Sequence, residues 1–475
     1  MNLPLAPTAF DPAPWDGLVA EIARRHRVPG IVAGVLSIDE KTGRERRFVA
    51  RTGVTNNRTA VPSDRDTVCQ VGSITKVATT TMIMQLREEG KLDLDTPVLE
   101  LLPDLELDSP YAAQITVEHL VTHTSGIDGD LFTDTGRGDD CVERYVLSLK
   151  TADALFEPST GWSYCNSGFV IAGRIIEVLD GRTWDASLRA RITEPLGLAT
   201  FLTLPEEVMA HTHQYGHVRG PGEAAWTPAP SAMITRSMGP AGLISSTVDD
   251  LLSFGGAFVR GGSTRDGARL VSQDTVDLMA RPHWTLDRAA STMAPQWGLG
   301  WMLDDWDGHR VFWHGGTTIG NNAWLQVLPD DGLVFVTFCN GGVAPYAAAE
   351  LYEAFAAQFA GTAPTPLPRP TGTAADTVVP EEWLGTYSDA STSLEVERAE
   401  GGGFQATVTS SGLAQPTQDP KPVPLLPTSE PLRFVVRTDA LTPWVPVSFT
   451  SIGGSPVSYV GIRALPRREQ EETAA

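Results

Sequence analysis

Lysine is almost missing from this chain. Among 475 residues there are only Lys41, Lys76, Lys91, Lys150 and Lys421, and every other basic side chain is arginine. A guanidinium does not give up its proton in a protein, so the arginines are excluded as bases and only a lysine amine can deprotonate a nucleophile in their place. Cysteine is scarce too. Cys69, Cys141, Cys165 and Cys339 are scattered without C-x-x-C or zinc spacing, which argues against a disulfide framework; they read as free thiols, with Cys165 a candidate wall of a site. Positive charge is short overall, since the formal net charge is −22. Such a chain repels phosphate backbones and anionic lipid heads, so neither nucleic acid nor a membrane surface is an expected partner, and a small-molecule or peptide substrate fits better. No apolar run approaches a membrane span, and Met1 to Pro7 has neither the basic nor the apolar region of an export signal. The expected location is the cytoplasm.

What is present is enough chain for a large catalytic unit and a smaller partner. Apolar residues at helical spacing predict a helix from Trp15 to His26, and Ile31 to Ile38 and Arg47 to Val54 read as a hairpin. Good helix formers run from Ile74 to Glu89 until Gly90 stops them. Residues from about 95 to 280 read as helix and loop. Strands return at Val311-Phe312-Trp313, Ala323 to Leu328 and Leu333 to Phe338, the last two joined by an Asp330-Asp331-Gly332 turn. Strands flanking a helical middle predict an α/β fold. A Pro-rich stretch, Thr362 to Pro370, reads as a semi-rigid linker. The expected domains are therefore 1–360, a linker over 361–380, and a small antiparallel β-domain over 381–475. Its predicted strands are Trp383 to Ser388, Leu394 to Val396, Gly403 to Thr409, Leu432 to Thr438, Val445 to Phe449 and Val457 to Arg463. Only the last residues, Glu469 to Ala475, read as disordered.

Three segments carry chemistry. In Ser73-Ile74-Thr75-Lys76 the serine starts a helix and the lysine lies three residues on, on the same face, so hydroxyl and amine can meet near the positive end of the helix dipole. Alone this spacing is weak, because an ordinary helix start with a solvated lysine looks the same. Tyr164-Cys165-Asn166 offers a phenol that can relay a proton and an amide that can hold both a lysine and a substrate carbonyl; the plainer reading is a helix cap beside a packed tyrosine. His314-Gly315-Gly316-Thr317 ends a strand with two glycines that let a substrate approach the backbone, or simply bend the strand.

In this order the segments resemble the serine β-lactamase and penicillin-binding-protein superfamily, in its class C β-lactamase-like branch: S-x-x-K, Y-x-N, then H-G-G where other members have K-T-G. Val121-Thr122-His123-Thr124-Ser125-Gly126-Ile127, Gly239 to Ser246 and Trp297-Gly298-Leu299-Gly300-Trp301 are similar to further segments of that branch, so the resemblance covers about residues 15 to 360. It implies an antiparallel sheet flanked by helices with a helical subdomain, and the appended β-domain is expected to be a small antiparallel barrel, lipocalin-like, or a sandwich. It also implies a Ser73 acyl-enzyme, Lys76 as general base, Tyr164 as proton relay and Asn166 orienting Lys76 and the substrate amide. The Ser73 and Thr317 N–H groups would form an oxyanion hole, with Gly315 and Gly316 beside the substrate. No metal or cofactor is called for. His314 stands where β-lactamases carry a lysine, and a neutral imidazole anchors a carboxylate less firmly, which favours esterase, peptidase or acyl-transfer work over antibiotic hydrolysis. With no export signal, the chain is similar to stand-alone penicillin-binding-protein-type thioesterases that release and cyclise nonribosomal peptides, whose substrate is presented on a carrier protein. D-amino-acid peptidases or amidases, carboxylesterases, and a penicillin-binding sensor without turnover are the alternatives.

The other candidates are weaker. Trp162, with Trp297, Trp301, Trp313 and Trp324, reads either as a pocket wall or as core. The acidic loop from Asp128 to Asp140 lacks calcium-loop spacing and reads as solvated, with Arg137 a candidate for a substrate carboxylate. His211, His213 and His217 are too loosely placed for zinc. Arg463, on the last predicted strand, is a carboxylate clamp if the β-domain leans over the site.

Overall fold

The computed structural model describes residues 12–220, 222–286, 294–411 and 420–468. The segments Met1 to Pro7 and Glu469 to Ala475, read above from composition, lie outside the described residues.

Two strands form the centre of the fold because their sequences are apolar on both faces. Gly30–Ile38 and Leu333–Cys339 are buried almost throughout and pair antiparallel. A strand of that kind needs cover on both sides. On one face the Pro12–His26 and Ala344–Phe359 helices supply it, with Val35, Phe335 and Phe355 in a common cluster. On the other, Val32, Val334 and Val336 pack with Leu251 and Phe254 of the Val248–Val259 helix and with the helical subdomain beyond. Around this pair the sheet grows to nine strands, in the order Val61–Pro62, Glu45–Asn56, Gly30–Ile38, Leu333–Cys339, Asn322–Leu328, His309–Thr317, Met302–Trp306, Gln296–Trp297 and Trp284–Thr285. The α/β architecture expected from the sequence is present, and its strand bounds agree to within a few residues.

The helix expected from Ile74 begins differently. Gly72 adopts φ +54, which turns the chain out of the short Cys69–Gln70 strand into a 3-10 turn, Gly72–Ile74, before the α-helix Thr75–Glu88. Ser73 therefore sits on the turn rather than inside the helix. Behind it the Asn166–Asp180 helix packs against Thr75–Glu88, its N-terminus capped by the Cys165 thiol, which accepts the Gly168 N–H at 3.2 Å. Among the described residues no helix is long and apolar enough to cross a membrane.

The Pro-rich passage runs along the main sheet, where the Thr362 hydroxyl donates to the Trp306 carbonyl at 2.8 Å. Beyond it the described residues build two antiparallel sheets, one of four strands and one of five. The small antiparallel β-domain expected from the sequence is present, and among the described residues its strands divide between two sheets that meet at two seams rather than forming one lipocalin-like sheet. At one, Val423–Pro424 pairs with Phe404–Ser410 while Leu426–Pro427 pairs with Arg433–Val436. At the other, Tyr387 bridges Arg467. The prolines of Val423–Pro427 hid this stretch in the sequence, since proline removes a ladder donor and reads as loop. Val457 to Arg463 is likewise not one strand but the end of Ser455–Val460 and the start of Arg463–Pro466, parted by Gly461 at φ +62. Phe434, Phe449, Tyr387 and Leu465 fill the core between the two sheets. Truncating Phe449 to alanine is expected to lower the unfolding free energy by about 3–5 kcal/mol, read from urea denaturation followed by fluorescence.

Candidate active site

Lys76 is wholly buried, the second residue of its helix, with Ser73 at the cleft surface above it. Its Nζ lies 3.0 Å from Ser73 Oγ, 2.7 Å from Asn166 Oδ1 and 2.6 Å from the Ala241 carbonyl. Two of these partners only accept. A neutral amine has two hydrogens to spend on them and one lone pair left, and Ser73 is the partner with a proton to offer that lone pair. Burial pushes the Lys76 pKa well below the ordinary lysine value, against the attraction of Asp130 and with the repulsion of Arg463. Burial thus favours the neutral amine, the form that can take a proton.

Asn166 is oriented by a second residue. Its Nδ2 donates to Asp130 Oδ1 at 2.7 Å, which fixes Oδ1 of the amide toward Lys76. The other Asp130 oxygen meets the Arg463 guanidinium at 2.6 Å and the Ser391 hydroxyl at 3.0 Å, both from the C-terminal sheets. The sequence reading missed Asp130 as a site residue by treating Asp128 to Asp140 as one solvated loop. Asp134 and Asp139 are exposed, but Asp128 and Asp130 are buried, and no local pattern in the sequence separates the two kinds. Burial and the nearby Asp389 raise the Asp128 carboxyl to about 7.

Tyr164 approaches Ser73 from the other side and hydrogen-bonds to it; burial holds the phenol neutral, far above its usual range. The Lys76 Nζ lies 4.9 Å from its ring centre. His123 stacks on the same ring at 4.2 Å and accepts the Cys165 N–H at 2.9 Å, a placement made possible by its left-handed φ of +62 at the end of the Val117–Thr122 helix. His123 belongs to the Thr122-His123-Thr124-Ser125-Gly126 segment, so the sequence marked the place but not the role. His314 is buried below Tyr164 and Trp297, with its Nδ1 2.5 Å from the Gly315 carbonyl. Desolvation and Lys76 depress its pKa to about 3, so the imidazole is neutral.

The His309–Thr317 strand passes directly over the Gly72–Ile74 turn. A side chain at Gly316 would strike the Val71 carbonyl and lie 2.8 Å from Ser73 N; one at Gly72 would lie 2.7 Å from Thr317 N. Glycine at both positions brings the Ser73 and Thr317 amides to the same spot, where they can receive one developing oxyanion. The cleft beside them is about 980 Å³, bordered by Ser73, Tyr164, Gly315, Thr317, the Pro364–Arg369 passage and Arg463.

Some expected contributors lie elsewhere. Arg137 is exposed, paired with Glu206 at 2.6 Å, and faces a separate groove of about 430 Å³, because its loop leaves the Ser73 cleft after Phe132. Trp162 is not a cleft wall: it is buried against His123 and Trp297, with its carbonyl taken by the Tyr459 hydroxyl at 2.5 Å. Cys165 caps a helix, and Trp301 packs in the core against Phe258 and Phe312. Both ring nitrogens of His217 meet the backbone, at Asn340 O and Asn57 N.

Against known proteins, the family described as Beta-lactamase matches residues 15–359. The chain belongs to the beta-lactamase family. Penicillin-binding protein 4 of Amycolatopsis lactamdurans is 37% identical over 371 residues, 76% of this chain and 95% of its own length. The crystal structure of SurE superposes with a TM-score of 0.73 at 24% identity, covering 95% of this chain and 98% of SurE. A D-stereospecific amidohydrolase from Streptomyces sp. gives a TM-score of 0.56 at 26% identity, over 74% of this chain and all (100%) of its own. This member of the beta-lactamase family is a serine hydrolase or acyltransferase. The superfamily resemblance read from the motifs holds.

Because the sequence has only five lysines, each ε-carbon can be followed by NMR after isotope labelling of lysine. The Lys76 signal is expected to titrate at lower pH than those of Lys41, Lys91, Lys150 and Lys421; a titration among the others would contradict a neutral amine.

Proposed function

We propose that this enzyme transfers peptide acyl groups through Ser73, and that its substrate is a peptidyl thioester which it releases by cyclisation. Ser73 Oγ attacks the thioester carbonyl as its proton moves to Lys76 Nζ. The carbonyl oxygen becomes an oxyanion facing the Ser73 and Thr317 amides. Collapse breaks the carbon–sulfur bond, and the thiolate leaves as a thiol with the proton returned from Lys76 by way of the Tyr164 hydroxyl. The amine at the other end of the same peptide then attacks the peptidyl-serine. Its proton passes through Tyr164 and Lys76, and the serine oxygen departs with a proton, leaving a new amide.

The observation that carries this reading is the cleft. It runs from Ser73 along the main sheet and beneath the linker and C-terminal sheets, and at about 980 Å³ it has room for a peptide folded back on its own acyl end. The strand beside Ser73 supports it as well, since the residues it turns to the cleft there, Gly315, Gly316 and Thr317, offer no cation to a lactam carboxylate. A second reading is favoured by the similarity to the D-stereospecific amidohydrolase and to esterase EstB of Burkholderia gladioli, which is 27% identical over 215 residues. In it, water resolves the acyl-enzyme.

A fluorophosphonate is expected to label Ser73, with no adduct in Ser73→Ala, and Lys76→Ala is expected to abolish turnover. An unlabelled Ser73 in the intact enzyme rules the proposal out. With a peptidyl thioester ending in a D-residue, mass spectrometry is expected to find the cyclic product; linear acid alone selects hydrolysis, and a stable adduct without turnover selects a penicillin-binding sensor. Gly316→Ala, which forces the strand away from Val71, is expected to slow acylation by on the order of 10²-fold while the fold persists by circular dichroism.

A further inference from the structure

The two C-terminal sheets reach the site at more than one point. The Ile462 carbonyl accepts the Tyr164 N–H at 3.1 Å, and the Ser163 hydroxyl accepts the Ala464 N–H at 3.1 Å. One residue away, Arg463 meets Asp130, and Asp130 holds the amide that holds Lys76. The result is a chain of contacts, Arg463–Asp130–Asn166–Lys76, that begins in the C-terminal sheets and ends at the amine beside Ser73.

We propose that Arg463 is a positioning residue which keeps Lys76 ready to accept a proton by neutralising the Asp130 carboxylate. This rests on the reading of Lys76 as the base. The reasoning is electrostatic. Asp130 is buried, so water does little to screen its charge, and an unpaired carboxylate one amide away from Lys76 favours the ammonium, which has no lone pair to offer Ser73. Arg463 opposes that pull twice: it cancels the carboxylate, and its own charge disfavours a second cation nearby. Ser391 adds a neutral hydrogen bond to the same oxygen that meets Arg463. Two further acids stand on the Asp130 side, Asp128, pushed up to about 7, and Asp389, which shares the Ser391 hydroxyl; neither contacts Lys76. His123 and His314 are held neutral by burial, and burial likewise keeps Tyr145, Tyr164 and Cys165 protonated. Burial sets the low affinity of the amine for its proton, and an ion pair, half of which belongs to the appended sheets, tunes it.

The test combines the lysine ε-carbon titration with the pH profile of fluorophosphonate acylation, both on the full chain. In Arg463→Met, which keeps the apolar stem, the Lys76 midpoint and the acid limb of the profile are expected to rise together by about one pH unit, with the acylation rate recovered at high pH. In Asp130→Asn both are expected to fall. The double variant Asp130→Asn/Arg463→Met is expected to return toward the parent, and Arg463→Lys, which preserves the charge, to stay with it. An unchanged Lys76 midpoint in a folded Arg463→Met chain overturns the proposal. So does a shift in the same direction in both single variants, which would mean general damage. Should Ser73 fail to label in the parent enzyme, the function proposed above falls, while the NMR titration still decides whether the ion pair controls Lys76.

Discussion

The site depends on one buried amine. An ammonium group in a dry interior loses its hydration, and unless a counter-charge replaces that hydration the proton leaves instead. Among the described residues Lys76 has two carbonyl acceptors and a hydroxyl but no carboxylate within hydrogen-bond reach, so no counter-charge in direct contact replaces the hydration an ammonium would lose, and the neutral amine is favoured. Everything around it serves that state. The Thr75–Glu88 and Asn166–Asp180 helices close over it, the Gly239–Gly242 turn brings the Ala241 carbonyl, and Phe169 and Tyr164 cover the remaining directions with rings at 5.5 and 4.9 Å.

A second constraint follows from the first. Once Ser73 is fixed beside the amine, the strand that would stabilise the reacting carbonyl has to come within van der Waals reach of the turn carrying it. Glycine at 72 and at 316 allows that approach, because a methyl group at Gly316 would stand 1.9 Å from the Val71 carbonyl oxygen. The same strand places His314 on its inner side, two residues before Gly316, where it packs with Trp297 below Tyr164 rather than facing the cleft. A residue so placed shapes the ring stack through Tyr164 and leaves the contacts with substrate to Gly315, Gly316 and Thr317.

The sequence disclosed those parts whose signal is local. Ser73 and Lys76 share a helix turn, Tyr164 and Asn166 are neighbours, and the central strands announce themselves by unbroken apolar runs. Contacts between distant segments had no such signature. Asp130 lies in a stretch rich in acids, and nothing in its neighbours separates a buried carboxylate from solvated ones four or more residues away. Arg463 was visible as a candidate, but its partner was not, because the pairing joins residues more than three hundred positions apart. Trp162 and Arg137 show the converse: a residue type suited to a pocket, near the motifs in sequence, which the fold turns toward other partners. Prolines concealed the Val423–Pro427 seam in the same way, since the pairing there is made by the few backbone groups that remain.

The appended sheets are more than a roof for the cleft. A lid that only excluded water could be attached through any apolar surface, yet these sheets place an arginine and a hydroxyl on the carboxylate that orients Asn166, and a backbone carbonyl on Tyr164. Both arms of the proposed proton path are thus held partly from outside the beta-lactamase-like region. Asp130 has to be there to fix the Asn166 amide, because without an acceptor for Nδ2 the amide has no fixed direction. Its charge, however, works against a neutral lysine. Pairing that charge across the boundary keeps the orientation and offsets part of the pull on the amine. This resolves an otherwise contradictory arrangement, a buried acid within one side chain of a base that must stay uncharged.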